Sequence, residues 1–533
     1  MSEDVCKRSK SDDVAPPRGA SSSMSDDAGS LILVQIAIEL LKSAERRRVA
    51  TLAGIAEARQ VEYGQYFTPD RAARLVASLP SIPSSGSLRI LDPGAGSGSL
   101  TAALVARIIE EAPGLSLHVT AVEIDDTVLP ALRQTLDDCA LAAAGAGIAF
   151  TSEVVGLDFL TQSAGIDGLF DLVVMNPPYS KLAAHSAARV HVADNFVETP
   201  NLYAAFMAVG TSLLEPQGQL VAIVPRSFTN GAYFEPFRNF LLDRLAINRI
   251  HIFGSRSSVF ADTGVLQENI VLSATREGEE GTVRISTSVS HTDELIRRDV
   301  PYFEIVHPSD KNRYIRIPST GDDSAIVEQM GHLPVTLADI GITVSTGRVV
   351  DFRSRDQLVD PPLAEHYPMI YPSNVRYGRV VHPLVGGKIQ EFSIVSEKDP
   401  RMLVPQGTYV LIKRFSAKEE RRRLVAGLWL EGENQAGPVA FDNKLNYLHV
   451  KGEGLDKALA AGLSLWLNST TVDAYFRTFS GHTQVNATDL RGMRFPSAED
   501  LRELGSHLGS ELPEQDTIDQ LCSVIFTPIG VAA

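Results

Sequence analysis

Residues 89–100 read Arg-Ile-Leu-Asp-Pro-Gly-Ala-Gly-Ser-Gly-Ser-Leu, and the fold turns on this stretch. An apolar run, a carboxylate, a glycine-rich turn and the start of a helix follow one another. Gly94, Gly96 and Gly98 let the backbone turn tightly and approach a ligand without a Cβ in the way. On either side, from about Leu88 to Ala274, short β-rich runs alternate with helical patterns. The runs LRILDPGAG, LHVTAVEID, FDLVVMNPP, QLVAIVPRS, INRIHIFG and ENIVLSAT read as strands or strand ends. Helical patterns fall at Leu100–Glu111, Val128–Ala144, Leu202–Leu214 and Phe234–Leu245. Such alternation predicts an α/β fold, with a mostly parallel sheet covered by helices on both faces. Ligands of such sheets sit beyond the carboxyl ends of the strands.

The glycine spacing is G-x-G-x-G, whereas a dinucleotide site favours G-x-G-x-x-G with a pyrophosphate at the helix N-terminus. Asp92, with Pro93 just before the loop, would repel a pyrophosphate and suits a cationic or amino-bearing ligand. S-adenosylmethionine carries both a sulfonium and an amino group. The next strand ends in Ala121-Val122-Glu123-Ile124-Asp125. A carboxylate there can accept hydrogen bonds from two ribose hydroxyls; Glu123 is the first choice and Asp125 the second.

A third strand runs into Asn176-Pro177-Pro178-Tyr179. Two consecutive prolines fix φ and remove two backbone donors, leaving a rigid, acceptor-rich corner. The Asn176 side-chain oxygen and the Pro177 carbonyl can together accept from one NH₂ group, and Tyr179 offers a face for stacking on a ring. The nitrogen so held can attack a methyl group in line and lose its proton afterwards. Catalysis then rests on positioning and electrostatics. These residues alone leave open which planar amino or amide group is the acceptor, including an RNA base or a protein glutamine.

The ordered set of motifs resembles the gamma-type adenine-N6 DNA methyltransferases of bacterial restriction–modification systems. Gly64-Gln65-Tyr66-Phe67-Thr68-Pro69 is similar to the family's first motif, which lies against the methionine part of the cofactor. DPGAGSG is similar to the second, Glu123 to the ribose-binding acid, and NPPY to the catalytic motif. Asp158-Phe159 resembles the motif whose acid binds the cofactor's adenine amino group and whose aromatic flanks that ring. Asn201-Leu202-Tyr203 and Gly218–Arg226 resemble later motifs, and Phe260 falls where the family places an aromatic that stacks on the flipped base. The resemblance implies a Rossmann-like class I methyltransferase sheet with a C-terminal mixed α/β target-recognition domain. It also implies S-adenosylmethionine as cofactor and a flipped adenine in double-stranded DNA as substrate. A monomer is expected, either paired with a restriction endonuclease or acting as a solitary modification enzyme.

The likeness is firm over residues 60–275 and looser over Leu465–Pro496. We therefore expect a disordered tail over 1–30, a catalytic domain over 31–275, a connector over 276–335, a recognition domain over 336–497 and a tail over 498–533. Within the recognition domain, Arg348, Arg353 and Arg355 near a Ser-Thr-Gly turn are candidate phosphate or base-edge readers. Gln484 in Ser480–Gln484 can read adenine. Lys418–Leu430 and Leu455–Leu467 read as helices, and Arg421–Arg423 on the first either add positive charge toward DNA or form a solvated face.

Composition sets bounds on this reading. The chain has 533 residues and a net charge of −16, unfavourable for phosphate binding. Residues 331–500, however, hold 20 Lys+Arg against 19 Asp+Glu, so the acidity lies elsewhere. Leu31–Lys42, the most apolar run, is too short for a membrane span and reads as an amphipathic core helix. The three cysteines are far apart, which argues against a metal site or a disulfide framework and fits a reducing cytoplasm.

Overall fold

Alternate residues of the strand that ends at Asn176 are apolar on both sides. Leu172 and Val174 pack into one hydrophobic cluster, Val173 and Met175 into another. A strand apolar on both sides belongs at the centre of a sheet with two covered faces. The computed structural model places it there. It describes residues 23–56, 58–60, 67–253, 268–288, 295–376, 378–416, 420–432, 437–481, 483–509 and 512–526.

Among the described residues nine strands form the first sheet: β1 (Ser85–Pro93), β2 (Gly114–Val122), β3 (Ala149–Val155), β4 (Phe170–Met175), β5 (Leu214–Pro225), β6 (Leu245–Phe253), β7 (Asn269–Arg276), β8 (Thr282–Ser288) and β9 (Leu295–Pro301). Their order is β3-β2-β1-β4-β5-β7-β6-β8-β9. The first five are parallel, and β7 inserts antiparallel between β5 and β6. One face is covered by helices Ser23–Gly54, Asp70–Ser78, Ser99–Glu111 and Leu129–Gly145, through residues such as Leu40, Val76, Ile108 and Leu136. The other is covered by Leu202–Ser212 and Glu235–Leu242, through Met207 and Phe237.

The sheet continues past residue 275, because β8 pairs onto β6 and β9 onto β8. Short, half-polar outer strands such as Thr282–Ser288 lack the apolar runs of central strands, so their sequence reads as a connector. The helix Gly321–Gly331 packs Val327 and Met330 into the core of the C-terminal half.

That half holds a six-stranded sheet (343–346, 445–449, 409–413, 426–429, 378–380 and 375–376, in that order) and a four-stranded sheet. Of the helix read over Lys418–Leu430, the described part, 420–430, is not helical: Ala426–Trp429 is a buried strand antiparallel to Tyr409–Lys413. The helix at Lys457–Leu467 is present. Within the stretch after Ser497, helices Ala498–Ser506 and Gln515–Ser523 bury Leu501, Leu504, Ile518 and Cys522.

Helices Lys457–Leu467 and Ala498–Ser506 cross with their backbones in contact. A Cβ on Gly462 would lie 1.7 Å from the Leu501 carbonyl oxygen, and one on Gly505 2.0 Å from that of Ala458. Neither backbone can yield as a side chain would. Gly462→Ala is therefore expected to cost roughly 3 kcal/mol of stability by overpacking, read as a lower midpoint in denaturant. An unchanged midpoint would show that the helices can separate freely.

Among the described residues no helix is long and apolar enough to cross a membrane. Nor do they contain a group of three or more His, Cys, Asp or Glu side chains placed to hold a metal ion.

Candidate active site

The loops that leave the carboxyl ends of β1, β2, β3 and β4 surround a cavity of about 230 Å³. Phe67, Thr68, Gly94, Gly96, Glu123, Ile124 and Asp158 line it, as do Asn176 and Pro178. Side chains from four loops and from Phe67-Thr68 thus converge on one space, where parallel sheets place ligands.

The glycine turn is shaped by steric demand. Gly96 has φ +55°, and a Cβ there would lie 2.9 Å from the Phe67 ring, so the first motif packs directly on the turn. Gly98, at φ +84°, caps the helix Ser99–Glu111 and does not line the cavity. Pro93 completes β1, is buried and does not line the cavity.

Asp92 is 1% exposed. Its Oδ2 accepts from Thr101 Oγ1 at 2.7 Å, while Oδ1 is buried with no hydrogen-bond partner among the described residues. Burial, reinforced by the nearby Glu123 carboxylate, pushes its pKa up to about 7. A buried carboxylate oxygen without a partner is costly and suits a cationic donor. Glu123 is also held above its ordinary pKa, chiefly by burial. Its two oxygens accept from Gly96 N and Asp125 N, both at 2.9 Å, which ties the β2 loop to the glycine turn. Asp125, the second choice for the ribose, is committed elsewhere. It is wholly buried and paired with Arg59 at 2.6 Å and with Thr127 at 2.7 Å.

Asp158 lines the cavity while capping the short helix Phe159–Gln162. Its carboxylate accepts from Leu160 N at 3.0 Å and from Thr161 Oγ1 at 2.8 Å. Phe159 does not reach the cavity. It is 3% exposed, with its ring centroid 5.1 Å from that of Phe206, and Phe206 and Leu160 line the wall instead. Phe206 could have been found from sequence: it lies four residues after Leu202 on one helix, and Leu202 also faces the cavity.

Asn176 is pinned on two sides. Its Nδ2 donates to Thr68 Oγ1 at 3.0 Å, and its Oδ1 accepts from the Tyr179 hydroxyl at 3.0 Å. That hydroxyl also lies 3.2 Å from the Ile223 carbonyl oxygen on β5. Burial pushes the Tyr179 pKa up, so the group stays a protonated donor near neutral pH and is no base. The Tyr179 ring packs against the core cluster, and neither it nor Pro177 lines the cavity. Pro69, also off the cavity, caps the helix Asp70–Ser78. Tyr66 and Phe260 lie outside the described residues.

The candidate DNA readers lie on the C-terminal half. Arg348, Arg353 and Arg355 are exposed, and Arg348 Nη1 donates to the carbonyls of Arg401 and Leu403. Gln484 bridges to Phe415, its side chain 3.5 Å from Arg414. Of the three arginines at 421–423, Arg421 alone is exposed. Arg422 and Arg423 are 8% and 2% exposed, with Arg423 N donating to Asp473 Oδ1 at 2.7 Å. A carboxylate fifty residues away, invisible to local pattern, folds that stretch inward. Sequence reading also missed two exposed aromatics beside arginines. Arg353 lies 5.4 Å from the Phe352 ring centre and Arg414 5.8 Å from that of Phe415.

The strand order, the antiparallel β7 and the glycine turn after β1 define a class I methyltransferase fold. Residues 146–260 match the family described as Eco57I restriction-modification methylase. The chain is 37% identical over 496 residues to type II methyltransferase M.PstI of Providencia stuartii, covering 91% of this chain and 97% of that one. It is 39% identical over 458 residues to type II methyltransferase M.BsuBI of Bacillus subtilis, covering 83% and 89%. The structure of the type IIL restriction-modification enzyme MmeI in complex with DNA shares the fold, with a TM-score of 0.51 over 96% of this chain and 76% of that one at 12% identity. The chain belongs to the type II methyltransferases of restriction–modification systems and is a site-specific DNA methyltransferase.

Proposed function

We propose that the protein transfers a methyl group from S-adenosylmethionine to N6 of an adenine turned out of duplex DNA. The observation that carries this reading is the Asn176 carboxamide, held between Thr68 and Tyr179 at the wall of the cavity. The residues present fit the cofactor. The unpartnered Asp92 oxygen suits an ammonium group, Glu123 retains lone pairs for ribose hydroxyls, and Phe206 and Ile124 offer apolar walls for a purine. When bound, S-adenosylmethionine supplies an electrophilic methyl group on a sulfonium.

The chain's own part is to hold the acceptor. Asn176 Oδ1 and the Pro177 carbonyl accept from the amino group, which keeps electron density on its nitrogen and fixes its direction. Tyr179 donates to Asn176 and so orients the amide. No side chain need act as a base before attack, and the proton leaves the nitrogen afterwards. Extruding a paired base costs a few kcal/mol, and contacts from the C-terminal half offset it. In this reading residues 31–275 are the core of the catalytic domain and 336–497 recognise the target, with Arg348, Arg353, Arg355 and Gln484 facing DNA. The enzyme acts as a monomer, and a companion endonuclease is the expected partner in the cell.

Labelled methyl transfer to unmethylated duplex DNA, followed by digestion to nucleosides, tests the proposal. The label is expected in N6-methyladenine. Label in a modified cytosine, or in RNA or protein in preference to DNA, overturns it. Sequencing DNA from cells that express the protein, with a modification-sensitive readout, then gives the recognition site.

A further inference from the structure

The five residues that follow β5, Arg226 to Asn230, are tied to a segment some 250 residues further along the chain. The Arg226 guanidinium is buried. Its Nη2 donates to the carbonyl oxygens of Arg477 at 3.0 Å and Thr478 at 2.5 Å, and its Nη1 to Glu268 Oε1 at 2.9 Å. Thr229 Oγ1 donates to the Phe479 carbonyl at 3.0 Å. The Asn230 amide donates to Asp489 Oδ1 at 3.1 Å and accepts from Gly481 N at 3.2 Å. Contact is so close that a Cβ on Gly481 would lie 2.6 Å from the Arg226 carbonyl oxygen.

Each end of this joint leads to a different part of the chemistry. Toward the cavity, β5 carries Ile223, whose carbonyl meets the Tyr179 hydroxyl, and it pairs along β4 up to Met175, next to Asn176. Away from it, residues 483–485 run antiparallel to 414–416, with Ser416 N donating to Thr483 O and Val485 N to Arg414 O. That is where Gln484, Arg414 and the exposed Phe415 sit together.

Burying a guanidinium is costly, and apolar packing would join two units at least as firmly. What a guanidinium adds is direction: its planar fork reaches two successive main-chain carbonyls and a carboxylate at once, which fixes register. We infer that Arg226 is a positioning residue that holds the recognition segment carrying Gln484 in register with Asn176, so that DNA gripped by the second unit presents its target base at the catalytic corner. This rests on the proposed DNA-facing role of Gln484 and its neighbours.

The test uses full-length Arg226→Lys, which keeps the charge and loses the fork. Three duplexes are compared: the recognition site, the same site with the target base opposite an abasic position, and a site with one changed pair outside the target. A base freed from its partner reaches the pocket without strict register. The variant is expected to lose on the order of 100-fold in kcat on the paired site, the scale of an ångström-sized misplacement. On the abasic duplex its rate stays within about threefold of the unaltered enzyme, and discrimination against the changed site falls about tenfold. Calorimetric affinity for S-adenosylhomocysteine stays unchanged. Equal losses on all three duplexes indicate a merely structural residue and overturn the inference, as does the absence of any loss. If thermal melting shows that Arg226→Lys does not fold, Thr229→Val removes one contact of the same joint. It must show the same ordering of substrates at about fivefold, and any other ordering overturns the inference. A wild-type product other than N6-methyladenine defeats the reading of the substrate instead, and the three-duplex ratio is still measurable on that base.

Discussion

Asn176→Ala is expected to reduce methyl transfer by on the order of 1,000-fold while leaving cofactor affinity within a few-fold of the unaltered enzyme. Two effects combine. The substitution removes the acceptor that holds the amino group where positive charge develops during transfer, and one such group is worth ~100–1,000-fold. It also releases Thr68 and Tyr179, whose side chains meet at the Asn176 amide. Asn176→Asp keeps the shape but has no donor for Thr68 Oγ1, so part of the rate should survive. Single-turnover assays with labelled cofactor, set beside calorimetric binding of S-adenosylhomocysteine, separate chemistry from binding. If Asn176→Ala kept a tenth of the rate, the amide would not be the acceptor-holding group.

The second large effect belongs to Asp92. Asp92→Asn is expected to weaken cofactor binding on the order of 100-fold, because a buried charge partner for an ammonium group is lost while the Thr101 contact survives. The pH dependence identifies the cause. The folded-state pKa is raised to about 7, above the ordinary carboxylate range. In the free protein this group therefore contributes stability that is full below about pH 4 and lost as pH rises through 7, on the order of a few kcal/mol. A bound ammonium favours the ionised form, so the gain in melting temperature on adding cofactor should grow as pH rises through 7. Asp489, raised to about 6 by burial, adds a slope of the same sign to both proteins. The difference between wild type and Asp92→Asn isolates the site, and parallel pH curves would falsify the assignment.

The core of this site was readable because its residues lie in runs whose local geometry and chemistry coincide. RILDPGAGSGSL is a buried strand, a tight turn and a helix start in immediate succession, and the structure has all three there. NPPY closes a strand apolar on both faces. Where sequence reading fell short, a distant partner decided the outcome. Glu-Glu-Arg-Arg-Arg at 419–423 has the charge pattern of a solvated helix, yet Asp473 draws Arg423 inward and the following residues pair as a strand. Phe159 has the right residue type beside Asp158, but packing against Phe206 turns it into the core. The outer strands β8 and β9 carry little apolar pattern, because only alternate residues such as Val283, Ile285 and Val300 are buried there. Asp92 could be named from sequence, but its lone unpartnered oxygen could not, since that depends on which neighbours fail to reach it.

The joint behind Arg226 bears on how such an enzyme can change its target sequence over evolution. Arg226 and Thr229 reach the C-terminal half through carbonyl oxygens at 477, 478 and 479, and Gly481 meets Arg226 backbone to backbone. A main-chain carbonyl is the same whatever side chain follows it. Residues around Gln484 can therefore drift toward new bases without loosening the joint, provided that the chain path and the glycine persist. By the same logic, a recognition half grafted from a relative should dock on this catalytic half if position 481 stays glycine and 226–230 are kept. A graft that replaces that glycine should assemble out of alignment, whatever bases it was chosen to read.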